Sequence, residues 1–235
     1  MTKLTIVFDN YAYLEGFPTL WGFSCFVETE ETTFLFDTGS NGRILLQNME
    51  RLGVDLQRAE ALVLSHPHWD HIGGVDSVLE VHPRMRLFVP ISLSKHLIRD
   101  LNSLSLGVTV IDEEPRKILP SVWSTGVMGE IGEQAVVIDT DKGLVVITGC
   151  AHPGIENIAI RAIEMLGKPI WLLMGGFHLM YSDASEIASV IETLQRLGVQ
   201  NVCPTHCSGD LAIEMFKESF GERYIQGGIG RVIEV

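Results

Sequence analysis

Three histidines and an aspartate crowd into six consecutive positions of this chain: His66, His68, Asp70 and His71, inside the run from Ser65 to Gly74. Imidazole and carboxylate are the ligands that a borderline divalent metal prefers. Pro67 disfavours helical geometry at His66, which predicts an extended segment. There His66, His68 and Asp70 share one face, because side chains alternate with period two. His71 joins that face where the chain turns at Ile72-Gly73-Gly74. Four metal-binding side chains on one short loop predict a metal site. The competing reading is a solvated polar loop that is merely rich in histidine.

A short apolar run at 61–64 predicts a buried strand that delivers this loop. Upstream, 4–8, 21–27 and 33–36 read as strands, followed by a helix over 43–52 that stops at Gly53. The middle is more mixed: a strand at 86–89, a helix at 93–101, and weaker strands at 108–111 and 122–123. Residues 133–138 and 144–148 flank Asp141-Lys142-Gly143 and predict a hairpin. The rhythm then alternates, with helices at 155–166 and 184–197 and strands at 170–174, 199–203 and 231–235. Strand-rich stretches joined to β-α-β units predict packed sheets covered by helices in a single domain over 1–235.

Against that frame the remaining five histidines divide. His82 and His96 sit in ordinary polar surroundings and are expected at the surface. His152, His178 and His206 each follow a short apolar strand and stand beside turn residues: Pro153-Gly154, Gly175-Gly176 and Ser208-Gly209. Rigid sheets aim functional groups from such strand ends. These three converge with the 66–71 cluster only if their strands end on one edge. Asp37, directly after Phe34-Leu35-Phe36, has the same placement. It is expected to orient a ligand histidine, against the alternative that it caps the helix near Asn41.

Composition narrows the partners. The 235 residues are 46% hydrophobic and 20% charged, enough for a sizeable core and unlike a disordered chain. A formal charge of −13 with scattered basic residues disfavours nucleic acid. No apolar run reaches the length of a membrane span, and the first residues show no signal-peptide pattern. A cytoplasmic, reduced protein with a small-molecule substrate is the expectation. The four cysteines, Cys25, Cys150, Cys203 and Cys207, match no zinc-finger spacing. Cys150 and Cys207 flank candidate ligands and either could serve as a thiolate, but buried packing is the expected role. Gly227-Gly228-Ile229-Gly230 reads as a turn, since it lacks the strand-loop-helix setting of a phosphate loop.

Asp37 in Phe-Asp-Thr-Gly, the His66-x-His68-x-Asp70-His71 run, His152 and His206 together resemble the metallo-β-lactamase superfamily, in its order and at plausible spacing over nearly the whole chain. The resemblance implies an α/β architecture: a four-layer αββα sandwich with the metal site along one edge. It implies that His66, His68 and His152 hold one metal and that Asp70, His71 and His206 hold a second. A narrower resemblance rests on Trp21-Gly22-Phe23-Ser24, Thr148 to Ile155, Gly175 to Leu179 and Pro204 to Cys207. It points to the branch named 7,8-dihydropterin-6-methyl-4-(β-D-ribofuranosyl)aminobenzene-5′-phosphate synthase-like. One departure stands out. Most superfamily hydrolases place a metal-bridging aspartate after the strand at 170–174, whereas here Gly175-Gly176-Phe177-His178 follows and no acid appears before Asp183. His178 taking a ligand role, a weakly held second metal, or a mononuclear site would each account for it.

The donor set suits zinc, one or two ions, with manganese or iron as alternatives. The expected activity is hydrolysis of an ester, lactone, thioester or phosphoester of anionic character, by hydroxide generated at the metal. Asp70 would shuttle the proton of water, and His178 would serve the leaving group or bind a substrate anion. Trp69, Phe177 and Tyr181 are expected to line the substrate pocket. Phe17, Trp21, Phe23 and Phe26 either wall it or fill the core. The alternatives are a synthase joining a dihydropterin pyrophosphate to an aminobenzene ribosyl phosphate, and a non-enzymatic metal or ligand sensor.

Overall fold

The computed structural model describes all 235 residues. A seven-stranded mixed sheet has the order β13-β1-β2-β3-β4-β5-β6, and a six-stranded sheet has the order β12-β11-β10-β9-β8-β7. The first contains β1 (Lys3–Phe8), β2 (Ser24–Glu28), β3 (Thr33–Phe36), β4 (Ala61–Val63), β5 (Arg86–Pro90), β6 (Gly107–Ile111) and β13 (Val232–Glu234). The second contains β7 (Arg116–Leu119), β8 (Val122–Ser124), β9 (Val136–Thr140), β10 (Gly143–Thr148), β11 (Ile170–Gly176) and β12 (Asn201–Thr205).

Strand periodicity builds the layers. Leu4, Ile6, Phe34, Phe36, Val145, Ile147, Leu172 and Met174 point between the sheets into one apolar cluster. Their neighbours Val7, Leu35 and Leu62 face outward beneath α1 (Gly42–Arg51), α3 (Val75–Val81) and α4 (Lys95–Leu104). On the far side Leu144, Val146 and Leu173 face α5 (Ile155–Leu166), α6 (Ala184–Arg196) and α7 (Asp210–Phe220). Three apolar clusters between four layers make an αββα sandwich. Each large side chain so buried contributes about 1.5–3 kcal/mol, which is why both faces of these strands are apolar.

Helix boundaries follow local chemistry. Asn41 caps α1 by accepting from Ile44 N–H at 3.1 Å, so Asp37 is free of that task. Asp183 and Glu186 form a capping box at the start of α6, and α5 stops at left-handed Gly167. α7 escapes sequence reading because only Ala212, Phe216 and Phe220 are buried along it and no side chain caps it. β7 is an edge strand of half-exposed Arg-Lys-Ile-Leu, polar enough to hide its strand character. The strand expected at 133–138 begins only at Val136, since Glu133 turns inward for a reason given below. His82 corrects the surface assignment: it is buried, and its Nε2 donates to the Ala59 carbonyl at 2.9 Å. His96 is exposed as expected.

One consequence positions the site. β1, β3 and β4 run parallel to one another in the first sheet, and β10, β11 and β12 run parallel in the second. Their C-terminal ends deliver Asn10, Asp37, the 66–71 loop, His152, His178 and His206 to one edge. Close packing there needs Gly175, at φ +119°, where a Cβ would lie 2.0 Å from the Thr148 carbonyl oxygen. Gly175→Ala is expected to cost roughly 3 kcal/mol through forced overpacking and a backbone conformation that alanine resists. An unchanged denaturant midpoint would show that β10 and β11 tolerate separation.

Candidate metal centre

The 66–71 loop leaves β4 extended and turns at His68 into one turn of helix, α2 (Trp69–Ile72). That turn points Asp70 and His71 inward and leaves Trp69 exposed. The rings assemble closely: His66 lies 4.2 Å from His71 and 4.9 Å from His152 between centroids, and His152 lies 4.3 Å from His178. The ligand atoms fall into overlapping groups within 4.8 Å: His66, His68 and His152; Asp70, His71, Cys150 and His206; and Cys150, His152 and His178. All six expected metal residues are therefore brought together.

Hydrogen bonds fix which nitrogen each imidazole presents. Asp37 accepts from Ser65 N–H at 2.7 Å, from Ser65 Oγ–H at 2.6 Å and from His71 Nδ1–H at 2.7 Å. Because the Ser65 hydroxyl donates to Asp37, it accepts from His66 Nδ1–H at 2.8 Å. His206 Nδ1–H donates to Asn10 Oδ1 at 2.8 Å, and Asn10 Nδ2 donates back to the His206 carbonyl at 3.3 Å. With Nδ1 committed in all three, Nε2 is the atom turned to the centre. His66 Nε2 and His206 Nε2 are buried without any hydrogen-bond partner. Asp70 Oδ2 lies 3.3 Å from His206 Nε2 but is poorly aligned for a hydrogen bond. An orphaned buried imidazole nitrogen is costly, and a cation in this position removes the cost. The residues present fit a divalent metal.

Electrostatics divide the imidazoles: burial works against a charge on His206, but Asp70 beside it holds it above the ordinary range. Burial, helped by neighbouring histidines, pushes the His66 and His71 imidazoles down to about 3, so both stay neutral, the form that a metal takes. Burial pushes Asp37 up to about 7, against the pull of His66 and Ser65. Burial also works against the Asp70 carboxylate, but His206 and His71 outweigh it and hold Asp70 well below the usual range. His178 is raised, chiefly by its contact with Cys207.

The backbone is strained at these positions. Asp37, Ala151, His178 and His206 are four of the five non-glycine residues with positive φ, between 52° and 61°. Such conformations cost on the order of 1–3 kcal/mol each, and here they turn the chain at strand ends so that side chains meet.

Several contributors carry no motif. Glu133 is fully buried and accepts from Thr148 Oγ1–H at 3.0 Å and from the N–H groups of Cys150, Ala151 and His152 at 2.9, 3.0 and 2.8 Å. Burial opposes its charge, but His66 and these donors hold it below the ordinary glutamate range. Asn10 and Ser65 were equally hidden, although the strand-end rule applied to β1 points at Asn10. Cys150 corrects the packing assignment: its sulfur lies 3.2 Å from His71 Nε2, among polar ligand atoms rather than in an apolar core.

The expected pocket residues scatter. Phe177 lines the cleft beside His178 as expected, although its ring is 1% exposed and packs edge-on against Phe216 at 5.3 Å. Trp69 and Tyr181 are 62% and 95% exposed, and neither lines the cleft beside His152 and His178. Phe23 and Phe26 are core residues, whereas Trp21 packs on the His206 ring at 4.8 Å. A cleft of about 520 Å³ opens beside His152 and His178, lined also by Ile155, Leu179, Ser182, Ser185 and the acidic Glu156 and Glu186. Of two cavities of about 380 Å³, one lies around Glu30, Asp139 and Lys142 and the other around Tyr11, Thr205 and Tyr224, and no candidate ligand lines either.

This arrangement has a family. The model of the metallo-β-lactamase superfamily matches residues 22–206, which span β2 through His206. The chain belongs to the metallo-β-lactamase superfamily. A Methanocaldococcus jannaschii protein named 7,8-dihydropterin-6-methyl-4-(β-D-ribofuranosyl)-aminobenzene-5′-phosphate synthase is 28% identical over 99% of this chain and 96% of its own length. The solved structure of Tm1679, described as a metal-dependent hydrolase of the β-lactamase superfamily, matches 100% of this chain and 99% of its own with a TM-score of 0.83 and 28% identity. YhfI from Bacillus subtilis, a metallo-β-lactamase fold protein, matches both chains in full with a TM-score of 0.71 at 15% identity, which shows the shared fold. No helix is long and apolar enough to cross a membrane.

Proposed function

We propose that this superfamily member is a dinuclear, zinc-dependent hydrolase of an anionic small-molecule ester, lactone, thioester or phosphoester. The observation that carries it is the meeting of a three-histidine group with an aspartate–histidine group, with the Nε2 atoms of His66 and His206 left unpartnered in the interior. His66, His68 and His152 would hold one ion, and Asp70, His71 and His206 the other. Bound zinc supplies Lewis acidity towards a carbonyl or phosphoryl oxygen and lowers the pKa of water. Asp37, through His71 and Ser65, and Asn10, through His206, keep the imidazoles in register. Asp70, ionised beside the two rings, takes the proton of the attacking water. His178, at the mouth of the cleft and shifted towards its protonated form, gives a proton to the leaving group. The 520 Å³ cleft suits a small molecule.

Likeness to Tm1679 supports this reading. The near full-length likeness to a protein named as a synthase favours a second, in which the same centre stabilises a departing pyrophosphate while an amine or carbanion replaces water. A substrate panel separates them. Chelator-sensitive turnover of generic esters or phosphoesters, restored by zinc, supports hydrolysis. Pyrophosphate release only with an aminobenzene acceptor supports the synthase and overturns the hydrolase.

Asn10→Ala is expected to weaken metal retention by about 10–100-fold, the usual effect of removing a partner that orients a ligand. Competition with a chelating dye measures it. Undiminished retention would show that Trp21 and Asp70 hold His206 without help.

A further inference from the structure

We propose that Cys150 is a metal ligand whose thiolate completes the Asp70, His71 and His206 group, in place of the carboxylate missing after β11. This rests on the metal-site reading above. The sulfur is 3.2 Å from His71 Nε2 and within 4.8 Å of the ligand atoms of Asp70 and His206. The same sulfur falls within 4.8 Å of the ligand atoms of His152 and His178, so of the three-histidine group it approaches His152. His206 Nε2, fully buried and without a hydrogen bond although Asp70 Oδ2 lies 3.3 Å away, is a second polar atom turned towards the same interior space.

The backbone holds Cys150 in position. Glu133 accepts its N–H at 2.9 Å. Gly149, just before it, lies so close to Ser65 that a Cβ would meet the hydroxyl at 2.3 Å. The segment is thus clamped to the same Asp37–Ser65 network that orients His71 and His66. The other cysteines are placed differently. Cys25 and Cys203 lie between the sheets among apolar side chains. Cys207 donates to the Cys150 carbonyl at 3.5 Å and belongs to no ligand group.

Ligation exchanges the S–H bond for a sulfur–metal bond, and the proton leaves to solvent. A thiolate beside imidazoles selects zinc, cobalt(II) or iron(II) over magnesium. His178 is thereby left free of the Asp70 group and available to the cleft.

Cobalt(II) titration of metal-free protein tests this, because a thiolate ligand adds a sulfur-to-cobalt charge-transfer band in the near ultraviolet. The wild type and Cys207→Ser should show the band. Cys150→Ser, with native circular dichroism, should lose it entirely while keeping the weaker visible absorption of bound cobalt. A band that survives in Cys150→Ser, or cobalt uptake by the wild type without any band, overturns the role of Cys150 and leaves the metal centre standing. No cobalt uptake by the wild type overturns both. If Cys150→Ser does not fold, zinc-edge X-ray absorption of the wild type decides. A sulfur scatterer at about 2.3 Å is expected, and a shell of nitrogen and oxygen alone contradicts it.

Discussion

Asp70→Ala is expected to lower kcat/KM at least about 1000-fold, or roughly 4 kcal/mol of transition-state stabilisation, with the fold retained. Asp70 Oδ2 sits 3.3 Å from His206 Nε2 and 3.6 Å from His71 Nε2, and its close charged contacts are these two imidazoles. Removing it takes a proposed ligand and proton acceptor from the centre and loses the contact with His206, but breaks no backbone hydrogen bond. Elemental analysis should find less metal, and far-ultraviolet circular dichroism should be unchanged. His68→Ala removes a proposed ligand from the neighbouring group and should act similarly. Full metal content with wild-type turnover in both variants would falsify the assignment of the 66–71 loop.

Glu133→Ala should have the largest effect on stability. The carboxylate is 1% exposed and answers four donors around His152. Each buried donor left unsatisfied costs about 1–3 kcal/mol, so a loss on the order of 4 kcal/mol is expected. For a chain of this length that lowers Tm by roughly 12 °C. Glu133→Gln keeps one acceptor oxygen and should lose about half as much. Thermal unfolding at neutral pH measures both. A Tm within a degree of wild type in Glu133→Ala would mean that water satisfies the donors and that the carboxylate does not organise the loop.

Much of this centre is legible in the sequence because its densest part is local. His66, His68, Asp70 and His71 are near neighbours, but period-two geometry holds only for His66 and His68; a turn of helix from Trp69, not the expected extended strand, carries Asp70 and His71 inward. His152, His178, His206 and Asp37 are found by a different rule, that groups directly after apolar strands are aimed by the sheet. The sandwich is legible for the same reason, since strands apolar on both faces must be covered twice. What stays hidden depends on contacts between distant segments. Asn10 is 196 residues from the histidine it orients, and Glu133 is 19 residues from His152 across an intervening hairpin. A buried carboxylate in that stretch looks like one more strand residue. Cys150 misleads in the opposite way, because a buried cysteine is usually packing and only the third dimension shows polar atoms around its sulfur. His82 misleads likewise, as nothing local reveals the Ala59 carbonyl it serves.

The central claim, two neighbouring ions held by these groups, is tested most directly by a crystal structure of zinc-loaded protein with anomalous data collected at the zinc edge. Two anomalous peaks are expected, one bounded by His66, His68 and His152 and the other by Asp70, His71 and His206. Anomalous density lying elsewhere, or none between these residues under saturating zinc, would contradict the account.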